Sequence, residues 1–151
     1  MESQFRDICE NLAAYIRNLD GIKANSAVTV VVEDKGDIDS QIAEALGYAG
    51  VTIMIGVLGF DRKPNSGELI TGNLKLELRI MERPAVNRNE QGHITAQQMI
   101  EKLILDLHWK RVVGMSGPIK FEDFSRDDTT ELDIIRSNFA GECSLGMVRT
   151  N

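Results

Sequence analysis

The chain holds four side chains of the kind that ligate soft metals or attack carbon centres, His93, His108, Cys9 and Cys143, and they show no ligand spacing to one another. A zinc site needs three or four such groups converging. No metal and no cofactor are therefore expected. His93 falls in a polar loop ahead of Thr95. His108 closes a helical pattern, where a cation would complement the helix dipole, so solvent-facing or capping roles are expected for both. The two thiols read as buried and reduced rather than as a disulfide.

Nucleophile and phosphate motifs fare no better. Gly114-Met115-Ser116-Gly117 is one residue short of the G-x-S-x-G elbow and runs straight into Pro118, so it reads as a plain loop. The glycines between Gly47 and Gly59 make neither G-x-G-x-x-G nor G-x-x-x-x-G-K-[ST]. Paired carboxylates at Glu122-Asp123 and Asp127-Asp128 could serve acid–base or cation chemistry inside a cleft, but without a glycine loop they read as a solvated acidic loop. The chain is thus expected not to be an enzyme. The most distinctive string is Met81-Glu82-Arg83-Pro84-Ala85-Val86-Asn87-Arg88, a charged strand meeting a proline stop. Its arginines suit ion pairing with a neighbouring copy, and Trp109, the only tryptophan, suits core anchoring or an interface. Phe60, Arg62, Arg83, Asn87, Arg88 and Trp109 are the candidate interface residues.

The elements that must position these residues follow from hydrophobic spacing. Phe5, Ile8, Cys9, Leu12, Ile16 and Leu19 form one helical stripe ended by Gly21. Ala27 to Glu33 is β-branched and reads as a strand, followed by a turn at Asp34-Lys35-Gly36-Asp37 and a short helix over Ile38 to Leu46. Val51 to Phe60 is apolar on both sides, so both faces should be covered, by sheet neighbours or by a partner subunit. Asp61 to Leu69 is a long, polar hairpin loop. Asn73 to Glu82 alternates strictly, with Leu74, Leu76, Leu78 and Ile80 inward. Thr95 and Gln98 make a capping box for a helix running to about His108. Strands follow around Ile119 to Phe124 and from Glu131 to Phe139, with the segment from about 143 a final edge strand or a tail.

Two strands joined by a hairpin imply antiparallel pairing. The expectation is a single domain over residues 1–151, α+β in class, with a mostly antiparallel sheet and helices packed on one face. Composition agrees: of 151 residues, 42% are hydrophobic and 26% charged, ordinary for one globular domain. A net charge of −6 disfavours a protein that binds nucleic acid by neutralising phosphates. No run approaches the ~18 apolar residues of a membrane span, and charges interrupt the first twenty residues, so neither a membrane nor secretory export is expected.

The order of elements, the string ELRIMERPAVNR and the amphipathic TAQQMIEKLILDLHW after a polar loop resemble the tail-terminator and minor tail proteins of long-tailed bacteriophages and prophages. The likeness spans Phe5 to about Phe139. It implies a structural α+β subunit located in the virion tail, and in the host cytoplasm during assembly. It further implies a homo-oligomeric ring, commonly of six copies, that caps the tail tube where the head connector joins and leaves a channel for DNA. Other connector or tail-tube subunits share such folds. A small hydrolase or ligand-binding domain whose polar groups meet only in three dimensions is the competing expectation.

Overall fold

The computed structural model describes residues 3–33, 36, 37, 40, 41, 44, 50–64, 68–83, 94–128 and 132–146. The described elements are α1 (Gln4–Arg17), β1 (Val28–Val32), β2 (Val51–Arg62), β3 (Ile70–Glu82), α2 (Ala96–Leu107), β4 (Lys120–Asp128) and β5 (Asp133–Leu145). The expected turn at 34–37 and short helix at 38–46 fall largely outside the described residues.

The five strands form one sheet in the order β1-β2-β3-β5-β4. Only β1 and β2 run parallel, since the chain crosses over between them; every other pair is antiparallel. The α+β class and mostly antiparallel sheet follow from this arrangement. Strand alternation decides which side becomes the core. Val51, Ile53 and Ile55 of β2, Leu74 to Ile80 of β3, and Ile135, Phe139 and Cys143 of β5 share one face, where Ile8, Leu12 and Ile16 of α1 and Met99, Ile100, Leu103 and Leu107 of α2 pack on them. Both described helices therefore lie on the same side.

Each helix begins where its sequence provides an oxygen for an orphan N–H. The Ser3 side chain accepts from Arg6 N–H, and Thr95 and Gln98 close the reciprocal capping box. The expectation for β2 is met in its first half, where residues 51–56 are buried on both faces. The hairpin is more regular than its sequence suggests. β2 runs on to Arg62 and β3 starts at Ile70, so the expected loop of 61–69 is shortened by two residues at its start, and the Lys63 N–H donates to the Thr71 carbonyl.

The C-terminal half corrects two expectations. The acidic pairs Glu122-Asp123 and Asp127-Asp128 lie on strand β4, where a loop was expected. They alternate with Phe121, Phe124 and Arg126, and pairing with the longer β5 outweighs their low strand propensity. No separate edge strand starts at 143 either. One 13-residue strand, β5, passes through Gly141 to Leu145. The glycine is a packing requirement there, because a Cβ would lie 2.7 Å from Met115 Cε and 2.9 Å from the Pro118 carbonyl oxygen.

Candidate assembly surface

On the sheet face opposite the described helices, Thr52, Met54 and Met81 are buried, and the rest of the described surface carries charge. Lys75, Glu77, Arg79, Arg136 and Asp127 pair across or along the strands: Lys75 with Asp61 at 3.0 Å, Arg79 with Glu77 at 2.9 Å and Arg136 with Asp127 at 3.3 Å. Lys63 pairs with Glu142 and holds its carboxyl below the usual carboxylate range. Lys63, Asn73, Lys120 and Glu142 border a shallow groove of about 280 Å³ on this face. These partly exposed pairs contribute little to stability individually and make the face wettable.

The lateral margins differ from the face. On the β1 side, β1 covers only the first part of β2: its last ladder contact joins Val32 to Ile55, and Glu33 N–H donates to the Ile55 carbonyl. The outward carbonyls of β1 are themselves closed, Val30 by Arg17 Nη2 at 2.7 Å and Val32 by Gln41 Nε2 at 3.0 Å. Residues 57–62 of β2, paired with β3 on one side, run on past this cover with no strand on the β1 side among the described residues, and Leu58, at a register irregularity between Val57 and Gly59, is 54% exposed.

At the opposite margin, the start of β4 is also closed. Trp109 N–H donates to the Ile119 carbonyl, Ile119 N–H to the Lys110 carbonyl, and Phe121 N–H to His108 Nδ1. His108 is the C-cap residue of α2 through its backbone N–H, which donates to the Ile104 carbonyl, while its side chain turns to the edge of β4. Beyond this cover, residues 123–128 have no strand on their outer side among the described residues, and Phe124 is 44% exposed.

Trp109 is the one non-glycine residue with positive φ among those described, at 70°, and its ring is 60% exposed. It stands edge-on to His108, with centroids 5.8 Å apart, and Lys120 Nζ lies 4.6 Å from the ring centre. Core anchoring does not describe this residue. A left-handed backbone at a bulky side chain is strained, and such strain collects at working surfaces.

The other candidates divide. Phe60 is half-buried, its ring 5.5 Å from that of Phe5, so it braces the hairpin against α1. Arg62 is exposed at the hairpin. Arg83 is half-buried just after β3 and its Nε is enclosed without a hydrogen-bond partner. Asn87, Arg88 and His93 lie outside the described residues. The exposed Leu58 and Phe124 were missed by sequence reading. The signal for them is a large apolar residue beside a pairing irregularity or on a charged edge, which only the register reveals.

A second cavity, about 430 Å³, lies between the start of α1, the end of β1 and β2, and includes Phe5, Arg6, Cys9, Glu33 and Val57. Burial pushes the Cys9 thiol up to about 11, so it is protonated at neutral pH and a poor nucleophile. Both cysteines are free and buried. Among the described residues no group of three or more His, Cys, Asp and Glu could hold a metal ion, and no helix is long and apolar enough to cross a membrane. No known protein family matches the sequence, and no curated protein matches it either.

Proposed function

We propose that this chain is a structural subunit that joins copies of itself head to tail into a closed ring. The observation that carries this reading is the pair of unlike margins on one sheet, with Leu58 exposed on the β2 side and Phe124 and Trp109 exposed on the β4 side. A cyclic ring needs two different patches per subunit, each meeting the other on its neighbour, whereas a two-fold dimer uses one patch twice. Aromatic side chains rimmed by charge are the usual anchors of such contacts.

The resemblance of ELRIMERPAVNR and the helix after it supplies the particle: the tail-terminator ring of a long-tailed phage or prophage, a cap of six copies between tail tube and head connector. Its chemistry is geometric fit, with no bond made or broken. The net charge of −6 suits a passage for DNA, since carboxylates repel phosphates and keep the polymer from adhering. Negative-stain imaging of tails assembled with and without the protein tests this. Overgrown, headless tails in its absence are expected; unaltered length and head joining defeat the terminator reading.

The 430 Å³ cavity favours one competing reading, a small-ligand site with Arg6 and Glu33 as its polar groups, since its size falls in the range of ligand pockets. Saturable binding of a small molecule, lost in Arg6→Ala with self-association intact, would favour it over assembly.

A further inference from the structure

The cavity between the start of α1 and β2 is bordered by two opposite charges, Arg6 and Glu33, that do not pair with each other. Arg6 approaches only Glu10, at 3.7 Å, too far for a hydrogen bond, and its guanidinium donates to no acceptor among the described residues. The Glu33 carboxylate accepts no hydrogen bond and forms no ion pair among the described residues. Both groups keep their bonding capacity for something else.

Each end has further support. Glu33 rests on the bare backbone of Gly56, where a Cβ would collide with the carboxylate, so the sheet leaves room for that group. Glu77 lies level with Gly56 on β3, and Arg79 gives it two hydrogen bonds, so this cation is engaged elsewhere and Glu33 is left uncompensated. At the other end the Ser3 side chain caps the Arg6 N–H, while the N–H groups of Gln4 and Phe5 donate to no group among the described residues. Those donors and the positive end of the helix dipole favour an anion beside Arg6. Phe5, Val32, Ile55 and Val57 supply an apolar wall between the two ends.

We propose that this cavity binds a small zwitterion with an apolar body, an amino acid or dipeptide whose ammonium meets Glu33 and whose carboxylate meets Arg6 and the first turn of α1. This goes beyond the ring reading and deepens the ligand-site reading above, on which it rests. A neutral apolar guest would strip water from both charges and replace none of the lost hydrogen bonds. A guest with one charge would satisfy one end and leave the other desolvated and unpaired. Only a guest carrying both signs forms charge-assisted hydrogen bonds at both ends while its body meets the apolar wall.

The test is calorimetric titration of the native protein with L-leucine, with its methyl ester, which lacks the carboxylate, and with N-acetyl-L-leucine, which lacks the ammonium. Leucyl-leucine repeats the zwitterion at dipeptide length, and the tighter of the two zwitterions gives the length the cavity takes. Saturable binding of a zwitterion is expected, with both single-charge forms weaker by about tenfold or more. Glu33→Gln should weaken the zwitterion by about tenfold and leave N-acetyl-leucine unaffected, and Arg6→Ala should do the same with the methyl ester as the unaffected form. Both variants should keep the melting temperature of the native protein. A single-charge form that binds as tightly as the zwitterion, or a zwitterion indifferent to Glu33→Gln, overturns the two-ended recognition and leaves a ligand site standing. A fragment screen by NMR separates the remaining failures. Hits of other chemistry that vanish in Arg6→Ala, with none from the zwitterions, overturn this proposal alone; no hit of any class overturns the ligand-site reading as well.

Discussion

The backbone N–H of Phe121 donates to the imidazole Nδ1 of His108 over 3.0 Å, tying the end of α2 to the edge of β4. Removing the acceptor in His108→Ala leaves that N–H without its partner. A loss of about 1 kcal/mol is expected, with faster amide exchange at Phe121. His108→Asn, whose side-chain oxygen can accept in its place, should recover most of it. Urea denaturation with exchange mass spectrometry reads both.

Arg126 forks onto Asp133, with Nε and Nη2 at 2.8 and 2.5 Å from its two oxygens, while the Asp133 side chain is only 5% exposed. Arg126→Ala strands a buried carboxylate and should cost about 2 kcal/mol by the midpoint of chemical denaturation. Lysine at this position should restore only part, because it cannot reproduce the two-pronged contact.

Gly141→Ala places a methyl group against Met115 and the Pro118 carbonyl. Overpacking of about 1–3 kcal/mol is expected, read as a lowered melting temperature, whereas Gly59→Ala should be nearly silent on contacts.

Gly141 also shows where sequence reading ends. A glycine amid apolar residues looks like a break between strands, so β5 read as one strand and a separate tail, although the residue is there to admit a neighbouring turn. Local periodicity made α1, α2 and the inward leucines of β3 legible, because each buries one stripe against one core. The margins were not legible. Phe124 and Leu58 acquire meaning only from how far a partner strand extends, and Trp109 only from a backbone angle. Phe60 was legible as the end of an apolar strand, but its ring contact with Phe5 of α1 was not, because it depends on how the helix crosses the hairpin.

Trp109→Gly should raise the stability of the isolated subunit by about 1 kcal/mol, since glycine adopts a φ of 70° without penalty. The same change should reduce self-association. Thermal melts and sedimentation velocity in the ultracentrifuge would separate the two effects, and a Trp109→Gly subunit that assembles normally would remove this residue from the contact.

The Cys9 thiol is raised to about 11 by burial first and by the Glu10 charge second. Its protonated form is favoured in the folded state, so stability should be level below about pH 8.5 and fall as pH rises from there through 11. Cys9→Ser should flatten that decline. In native protein at pH 7, iodoacetamide should modify Cys9 far more slowly than a free peptide thiol.

Arg17 and Gln41, by occupying the carbonyls of Val30 and Val32, turn the lower half of one flank into a stop. A foreign strand arriving there finds those two acceptors already taken, and an edge blunted in this way resists the edge-to-edge pairing that leads to fibrous aggregation.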